Sequence, residues 1–337
     1  HQALHSFPTR RSSDLMNMRF LKNFELDVTY YNAKTMNQTF NPELPVGEYA
    51  RIYIQTGAVR NQGLELALNY NNTWKDFTWN TGVTYSMNKN KILTLADNAI
   101  NPITHEKFSI SSLNMGGLGS TRFILKEGGS MGDIYSLMDL KRDANGAVYI
   151  DENNSVVTES LEANNYIKLG SVLPKGNLAW RNNFSWKNIN VAFLVSARLG
   201  GVVFSRTQAV LDNFGVSEAS AAARDKGYVS VNGNDRVNPE GWYSVVAGGT
   251  AVPQYYIYSA TNIRLQEASI GYTIPRKWLG NVCDIKVSLI GRNLWMIYNK
   301  APFDPESVAS TDNFYQGIDY FMMPSLRNIG FNLSFKF

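Results

Sequence analysis

The sequence predicts an all-β protein, a transmembrane antiparallel β-barrel, and three observations support this fold class. Residues 328–337 alternate without exception between polar and apolar side chains, as a strand between lipid and a wet interior requires. Short and long connections alternate between the predicted strands, which is typical of outer-membrane barrels. No apolar run in the 337-residue chain is longer than five residues, which excludes a transmembrane helix.

Alternation with a period of two residues predicts about ten strands along the chain. In the strand at 263–274 the apolar positions change phase, and one inserted residue near Gln266 or Glu267 would restore the faces. We therefore predict a β-bulge there. The predicted strands are residues 20–31, 63–70, 77–87, 118–126, 131–138, 178–186, 189–199, 263–274, 285–295 and 327–337.

The lengths of the connections predict how these strands are arranged. Residues 71–76, 126–130, 187–188 and 275–282 are short links, and residues 32–62, 88–117, 139–177, 201–262 and 296–325 are long ones. Outer-membrane barrels have short periplasmic turns and long extracellular loops. A soluble β-sandwich or propeller has no reason to separate loop lengths by end. The last strand then descends, and Phe337 lies at the periplasmic side.

Composition agrees with a barrel and excludes other classes. The chain has 18 Tyr, 17 Phe and 7 Trp, enough to form aromatic belts at two membrane interfaces. The net charge is only +4 and the basic residues are scattered, so nucleic-acid binding has no support. One cysteine and three histidines leave no basis for a disulfide, a His-based metal site or a catalytic cluster. We expect no enzyme activity and no cofactor.

The first fifteen residues do not follow the pattern. They show neither alternation nor a helical stripe, they lack the apolar core of a signal peptide, and they resemble a translated adapter sequence. We expect residues 1–15 to be an artefact or a disordered leader. The rest of the chain is then expected to be the C-terminal part of a longer, exported protein.

Five motifs carry a resemblance to a known family. They are GAVRNQGLE at 57–65, PKG at 174–176 before Trp180, GRNL at 291–294, DPE at 304–306, and PSLR at 324–327 before the last strand. In this order the chain from residue 16 on resembles a SusC/RagA-type TonB-dependent outer-membrane transporter. The resemblance implies that residues 16–337 are the C-terminal half of a plugged barrel of about 22 strands, without the plug domain.

The resemblance also implies a function and a location. Such transporters lie in the outer membrane of Gram-negative bacteria and import glycan or peptide fragments. A SusD-like surface lipoprotein acts as the lid, and TonB supplies the energy through an N-terminal segment that this chain lacks. A passive porin, and a barrel that serves as an adhesin or an enzyme, are the alternatives. An upstream plug with a TonB-contact segment would distinguish the importer from the porin.

Three polar residues are candidates for contacts inside the barrel. Glu65 points to the same side as Asn69, which we assign to the lumen because a carboxylate in lipid is costly. Arg292 and Asn293 would face opposite ways unless their strand is irregular. All three could anchor the plug or could simply be solvated. At the chain end, Phe337 is predicted to be part of the signal read by the insertion machinery, or only another lipid-facing ring.

The longest predicted loop, residues 201–262, is the candidate for contacts with partners. Residues 217–227 predict a short helix with a serine cap and a glycine stop. Aromatic rings stack on sugars and are common at protein interfaces, so Trp242, Tyr243, Tyr255 and Tyr256 are candidate contacts for substrate or lid. Alternatively, Tyr255, Tyr256 and Tyr258 belong to the outer aromatic belt.

Other chemistry is weakly indicated. Asp143, Asn145, Asp151 and Glu152 do not match the spacing of an EF-hand calcium loop. His105 has no nucleophile placed beside it by the sequence, so a Ser-His-Asp hydrolase has little support.

Overall fold

A computed structural model shows one large antiparallel sheet whose nine strands follow each other in chain order. The structure describes residues 9–40, 54–101, 105–249, 251–280, 282–310 and 315–336. No helix in these ranges is both long and apolar enough to cross a membrane. The strands are β1 Thr9–Phe20, β2 Phe24–Phe40, β3 Ile54–Trp74, β4 Phe77–Thr94, β5 Gly176–Trp186, β6 Ile189–Leu199, β7 Asn262–Ile274, β8 Asp284–Asn299 and β9 Asn328–Lys336.

Eight of the ten predicted strands lie in this sheet, but the predicted hairpin at 118–126 and 131–138 does not. These residues belong to a separate four-stranded sheet, and β4 pairs directly with β5 instead. The reason is visible in Phe123, Ile134 and Leu125, whose side chains are all fully buried. The segments are enclosed on both faces and do not stand between lipid and water.

The N-terminal strand differs from the sequence prediction as well. β1 includes Thr9–Leu15, residues that sequence analysis set aside, and it pairs with β2 from Thr9 opposite Thr35 to Phe20 opposite Phe24. The strand predicted to start at Phe20 therefore starts at Phe24, after a short turn. Phe337, the predicted assembly signal, lies outside the described residues.

The two faces of the sheet differ in chemistry. Residues directly opposite each other in an antiparallel pair point to the same face, so the register assigns every side chain to a face. Val28, Leu66 and Tyr85 stand opposite one another across β2, β3 and β4, on what we call the apolar face. Thr29, Glu65 and Ser86 stand opposite one another on the other side, the polar face.

An aromatic row crosses the apolar face near one end of the sheet. The ring centroids of Phe24 and Tyr70 are 4.7 Å apart, those of Tyr70 and Trp79 are 5.3 Å apart, and those of Trp79 and Phe184 are 6.1 Å apart. Such pairs stabilise beyond their buried area, by about 0.5–1.5 kcal/mol each. The row lies at the height expected for one membrane-interface belt.

Connection lengths separate the two ends of the sheet, as predicted. Residues 21–23, 75–76, 187–188 and 275–283 make the short turns. The long connections 41–53, 95–175, 200–261 and 300–327 all leave from the opposite end. We call these the short-turn end and the long-loop end.

The predicted irregularity in β7 is confirmed. Leu265 pairs with Val195 of β6, and Glu267 pairs with Leu194, so Gln266 is the extra residue. The bulge restores the alternation, because it puts Leu265 and Ile270 on the same apolar face.

Three of the long connections pack into one body at the long-loop end, which we call the loop domain (residues 95–175, 200–261 and 300–327). Its core joins Phe123, Phe204 and Ile318, one residue from each connection. A second, smaller cluster packs Leu95 and Leu125 against Ile92 of β4. The loops therefore stand on the sheet as folded structure.

The loop domain contains short strands and three helices. The helix predicted at 217–227 is present as α2, with the Ser217 hydroxyl accepting from the Ser220 N–H at 3.0 Å and Gly227 ending it at φ 84°. The helices are α1 Arg206–Asn213, α2 Glu218–Lys226 and α3 Pro239–Val246; the strands are Ala96–Ile100, Lys107–Ile110, Ser112–Leu118, Thr121–Lys126, Asp133–Ser136, Met138–Leu140, Thr158–Ser160, Ile167–Ser171, Val202–Ser205, Val229–Val231, Asp235–Val237, Ile257–Ser259 and Ile318–Asp319; and the 3₁₀ turns are Ala163–Asn165 and Pro253–Tyr256. A further 3₁₀ turn, Arg276–Leu279, lies in the short connection between β7 and β8.

The face assignment leads to a first prediction. Phe331→Arg in the full-length protein should impair assembly, because a cation on the lipid side of a barrel midplane costs about 2–4 kcal/mol. Asn332→Arg is the matched control: it lies at the same depth on the polar face and should be tolerated. Val195→Arg on the apolar face should likewise impair assembly, and Ser334→Arg on the polar face should be tolerated. The measurement is the folded fraction in a heat-modifiability gel, and equal damage on both faces would contradict the assignment.

Candidate functional site

The loop domain places the predicted aromatic residues in three different surroundings. Trp242 lies on α3, whose first turn is capped by Asn238 accepting from the Glu240 N–H at 2.9 Å. The Trp242 ring is half-buried against the core and meets the Tyr255 ring edge-on at 5.2 Å. Tyr255 is exposed over 39% of its surface. The Tyr255 ring is therefore accessible to a ligand, and the Trp242 ring packs against it.

Tyr256 is enclosed. Only 2% of it is exposed, and its hydroxyl donates to Oδ2 of Asp212 at 3.0 Å. Burial, and then the Asp212 carboxylate, raise the pKa of Tyr256 above its ordinary value. The same two causes raise the pKa of Tyr258 to about 12. Both tyrosines belong to the loop domain, away from the apolar face, and Tyr256 has no surface for a ligand.

Tyr243 lines a cavity of about 530 Å³ between the three helices. The cavity wall combines the Arg224 guanidinium, the Glu240 carboxylate and the aromatic ring of Phe214. Burial and the nearby Asp212 raise the pKa of Tyr243, so its hydroxyl stays protonated and can donate a hydrogen bond. A cation, carboxylates and aromatic rings together suit a polar ligand or the side chains of a protein partner.

An exposed apolar loop borders this cavity. Phe214 is 74% exposed and Val216 is 68% exposed, in the turn between α1 and α2. The turn is held in place because Arg224 donates to the carbonyl of Gly215 at 2.7 Å. Ordered and exposed apolar side chains of this kind are typical of protein contact surfaces.

The predicted lumen residues lie on or beside the polar face. Glu65 is exposed between Thr29 and Ser86. Arg292 Nε forms an ion pair with Glu267 Oε2 at 2.9 Å across β7 and β8, and both side chains are largely exposed. The structure does not bring Glu65 together with this pair.

Asn293 occupies the predicted irregular position. Its φ is 50°, a left-handed conformation that Asn tolerates, and its Oδ1 accepts from Gln266 of the bulge at 3.1 Å. Its Nδ2 donates to the carbonyl of Leu326 at 3.1 Å. Asn293 thus ties the bulge of the sheet to the last long connection.

Sequence reasoning missed a buried charge cluster near Asn293. Arg264 of β7 forms ion pairs with Asp304 at 2.9 Å and with Glu306 at 3.2 Å. The side chains of Arg264 and Asp304 are only 6% and 8% exposed. Asn262 accepts from Arg264 Nε at 3.1 Å and donates to Glu306 at 3.2 Å. The acids belong to the DPE motif, but the sequence does not show that Arg264, forty residues earlier, is their partner.

The charge state of this cluster follows from its hydrogen bonds. Burial alone would raise the pKa of Asp304, but hydrogen bonds from Ser325, from the Glu306 N–H and from Arg264 together lower it below its ordinary value. Asp304 is therefore ionised at neutral pH and fixes residues 300–327 to the sheet. Beside the cluster lies a cavity of about 420 Å³, lined by Arg264, Asn299 and Arg327 among others.

The buried cluster generates a second prediction. Arg264→Met should strongly destabilise the attachment of the loop domain, because it leaves Asp304 buried without a partner, at a cost of about 3–5 kcal/mol. Arg292→Met is the control: its ion pair is exposed and contributes only about 0–1 kcal/mol. Limited proteolysis within residues 300–327 is the measurement. Equal protection of the two variants would show that the cluster does not hold the loop domain.

A third prediction concerns pH. Because the pKa of folded Asp304 is lowered, its ionised form contributes stability above the ordinary Asp pKa of about 3.9, and this contribution is lost as pH falls further. Below about pH 4 the wild type should lose protease protection of residues 300–327, whereas Asp304→Asn should be less protected at neutral pH and change less with acid. The same acid-induced change in both proteins would assign the effect to other carboxylates.

The chain is similar in sequence to two curated proteins. No protein-family model matches the chain. TonB-dependent receptors P3 and P26 of Formosa agariphila are 26% and 27% identical, over 94% and 92% of this chain. The alignments cover 33% and 32% of those receptors, so the chain spans about a third of the length of the curated relatives it matches.

Solved structures of the RagAB peptide importer share the fold. The closed-closed state superimposes with a TM-score of 0.71 at 15% identity, covering 98% of this chain and 35% of that one. The open-open state gives a TM-score of 0.65 at 16% identity, covering 97% and 34%. The predicted resemblance is thus confirmed: the chain is similar in sequence to two TonB-dependent receptors and shares the fold of the RagAB peptide importer.

Proposed function

We propose that the full-length protein actively imports oligosaccharide or peptide fragments across the outer membrane of a Gram-negative bacterium, without enzymatic activity. In this proposal it works with a SusD-like surface lipoprotein and is energised by the TonB complex through a region upstream of this chain. The observation that carries the proposal is the folded loop domain, which stands on the long-loop end of a sheet shared with the RagAB importer.

The folded loop domain favours an importer over a passive porin. Its core buries residues from three connections, and Arg264 binds one connection to the sheet through a buried charge cluster. A diffusion pore needs only connectors at that end. An ordered surface with a cavity and exposed apolar side chains is what docking of a lid or substrate requires.

Roles follow for the predicted residues. We assign Tyr243 and the cavity around it, with Phe214 and Val216 on its border, to the contact with the lipoprotein or the substrate. Tyr255, supported by Trp242, is a second contact position. On the polar face, Glu65, Arg292 and Asn293 face the space that a plug domain would occupy, and we propose them as plug contacts.

A fourth prediction tests lid docking. Replacing Phe214 and Val216 with Ser in the full-length protein should weaken co-purification of the lipoprotein about tenfold or more, because apolar anchors at an interface centre contribute about 2 kcal/mol or more. Trp278→Ser with Val282→Ser is the matched control, since these residues are 72% and 64% exposed at the short-turn end. Full recovery of the lipoprotein with the Phe214 and Val216 variant would exclude this surface as the dock.

The importer itself is tested by uptake. Cells that carry the full-length gene should take up labelled oligosaccharides or labelled peptides only when TonB is present, and the two labels compared side by side identify the substrate class. Uptake that continues without TonB would favour the porin.

A further inference from the structure

Four basic side chains form a patch on the apolar face at the long-loop end. Lys34 of β2 stands directly opposite Arg60 of β3, and Arg60 stands directly opposite Lys91 of β4. Lys89 lies two residues before Lys91 on β4, so it points to the same face, and it stands opposite Gln62 of β3. We call these four residues the basic patch.

The register determines which way the basic patch points. Pairing of β3 with β4 runs without a shift from Arg60 and Lys91 to Trp74 and Phe77, so the patch shares its face with the apolar residues below it. The neighbouring residues Val59 and Ile92 point the other way and are buried in the loop-domain cluster. The patch therefore points away from the loop domain, towards the surrounding medium.

The height of the basic patch matches the head groups of a bilayer. Ten residues of β3 separate Arg60 from Tyr70 in the aromatic row, or about 23 Å along the membrane normal for a strand tilted by about 45°. The apolar band of an outer-membrane barrel is about 25 Å tall. With the aromatic row at one interface, the patch lies at the other.

No carboxylate of the described residues neutralises the charges of the basic patch. Like charges directly opposite on neighbouring strands destabilise a sheet. Across the described ranges, no carboxylate lies within ion-pair distance of any of the four. Arg60 Nε is buried and has no hydrogen-bond partner there. Such an arrangement favours the binding of an external anion.

The patch is local. At the same end of the sheet, the apolar face of β7 and β8 carries Ile263 opposite Tyr298, without a cation. Arg10 of β1 stands directly opposite Lys34 and extends the row of cations, which lies on the adjacent strands β1 to β4. A general attraction to the membrane surface would not require the cations to be grouped on neighbouring strands.

We propose that the basic patch binds the phosphate of a phosphorylated glycolipid in the outer leaflet, whose acyl chains lie along the apolar residues below. Opposed side chains start from Cβ atoms about 5 Å apart, so one phosphate can contact two of the cations at once. The continuous apolar surface beneath the patch is what favours a lipid over a free anion. The inference rests on the outer-membrane location in the proposed function, but it is independent of transport.

The test uses the purified full-length protein in detergent micelles that contain bisphosphorylated lipid A, with bound lipid counted by native mass spectrometry. Arg60→Gln with Lys91→Gln should lower retention of lipid A about tenfold or more. Arg181→Gln with Lys286→Gln removes two exposed cations from the polar face and should leave retention unchanged. Heat-modifiability confirms that each variant is folded.

Two further probes identify the source of the phosphate. Dephosphorylated lipid A should bind the wild type weakly, and inorganic phosphate at equal concentration should not displace lipid A. Equal retention by the two double variants, or equal binding of the dephosphorylated lipid, would overturn the proposal. Displacement by inorganic phosphate would overturn the lipid as the source. TonB-dependent uptake is measured separately. If uptake still depends on TonB while lipid A does not bind the basic patch, only this inference has failed; if uptake does not depend on TonB, the proposed importer function has failed.

Discussion

Pairing of every backbone N–H and C=O group is the constraint on which the rest of this structure depends. At membrane depth no water is present to satisfy these groups, so the strands must form an unbroken antiparallel ladder. β1 to β9 do this in chain order, and each strand between the outer two has a partner on both sides. Among the described residues, the outer strands β1 and β9 are each paired along one edge only, and in lipid the other edge must be paired as well.

The ladder also decides what the side chains can do. Since opposed residues share a face, one register separates a lipid-compatible face from a polar one over β2 to β9. The bulge at Gln266 shows how strictly this holds: a single extra residue is accommodated so that Leu265 and Ile270 stay on the same face. The bulge also connects the sheet to the loop domain. Gln266 donates a hydrogen bond to Asn293, and Asn293 donates one to the carbonyl of Leu326 in the last long connection.

Two kinds of interaction hold the loop domain at the end of this sheet. Apolar side chains from three connections share one core, which supplies most of the stabilisation. Arg264 and Asp304 add a buried ion pair, whose value lies in position more than in net energy, because burying two charges costs about as much as their attraction returns. The aromatic residues of the connection 200–261 have different environments. Tyr256 is buried in the core, whereas Tyr255 is exposed and Tyr243 lines a cavity.

The sequence by itself determined the strand type, the alternation of connection lengths, the β7 bulge, the capped helix α2 and the family resemblance, because each of these is a local pattern. It misassigned residues 118–138 to the membrane sheet, since a short buried strand and a short membrane strand have similar apolar content. Only the tertiary structure decided that Arg264 meets Asp304, that Tyr256 is enclosed, and that Lys34, Arg60 and Lys91 stand side by side. Such contacts depend on register and packing between segments tens of residues apart, and no local periodicity records these.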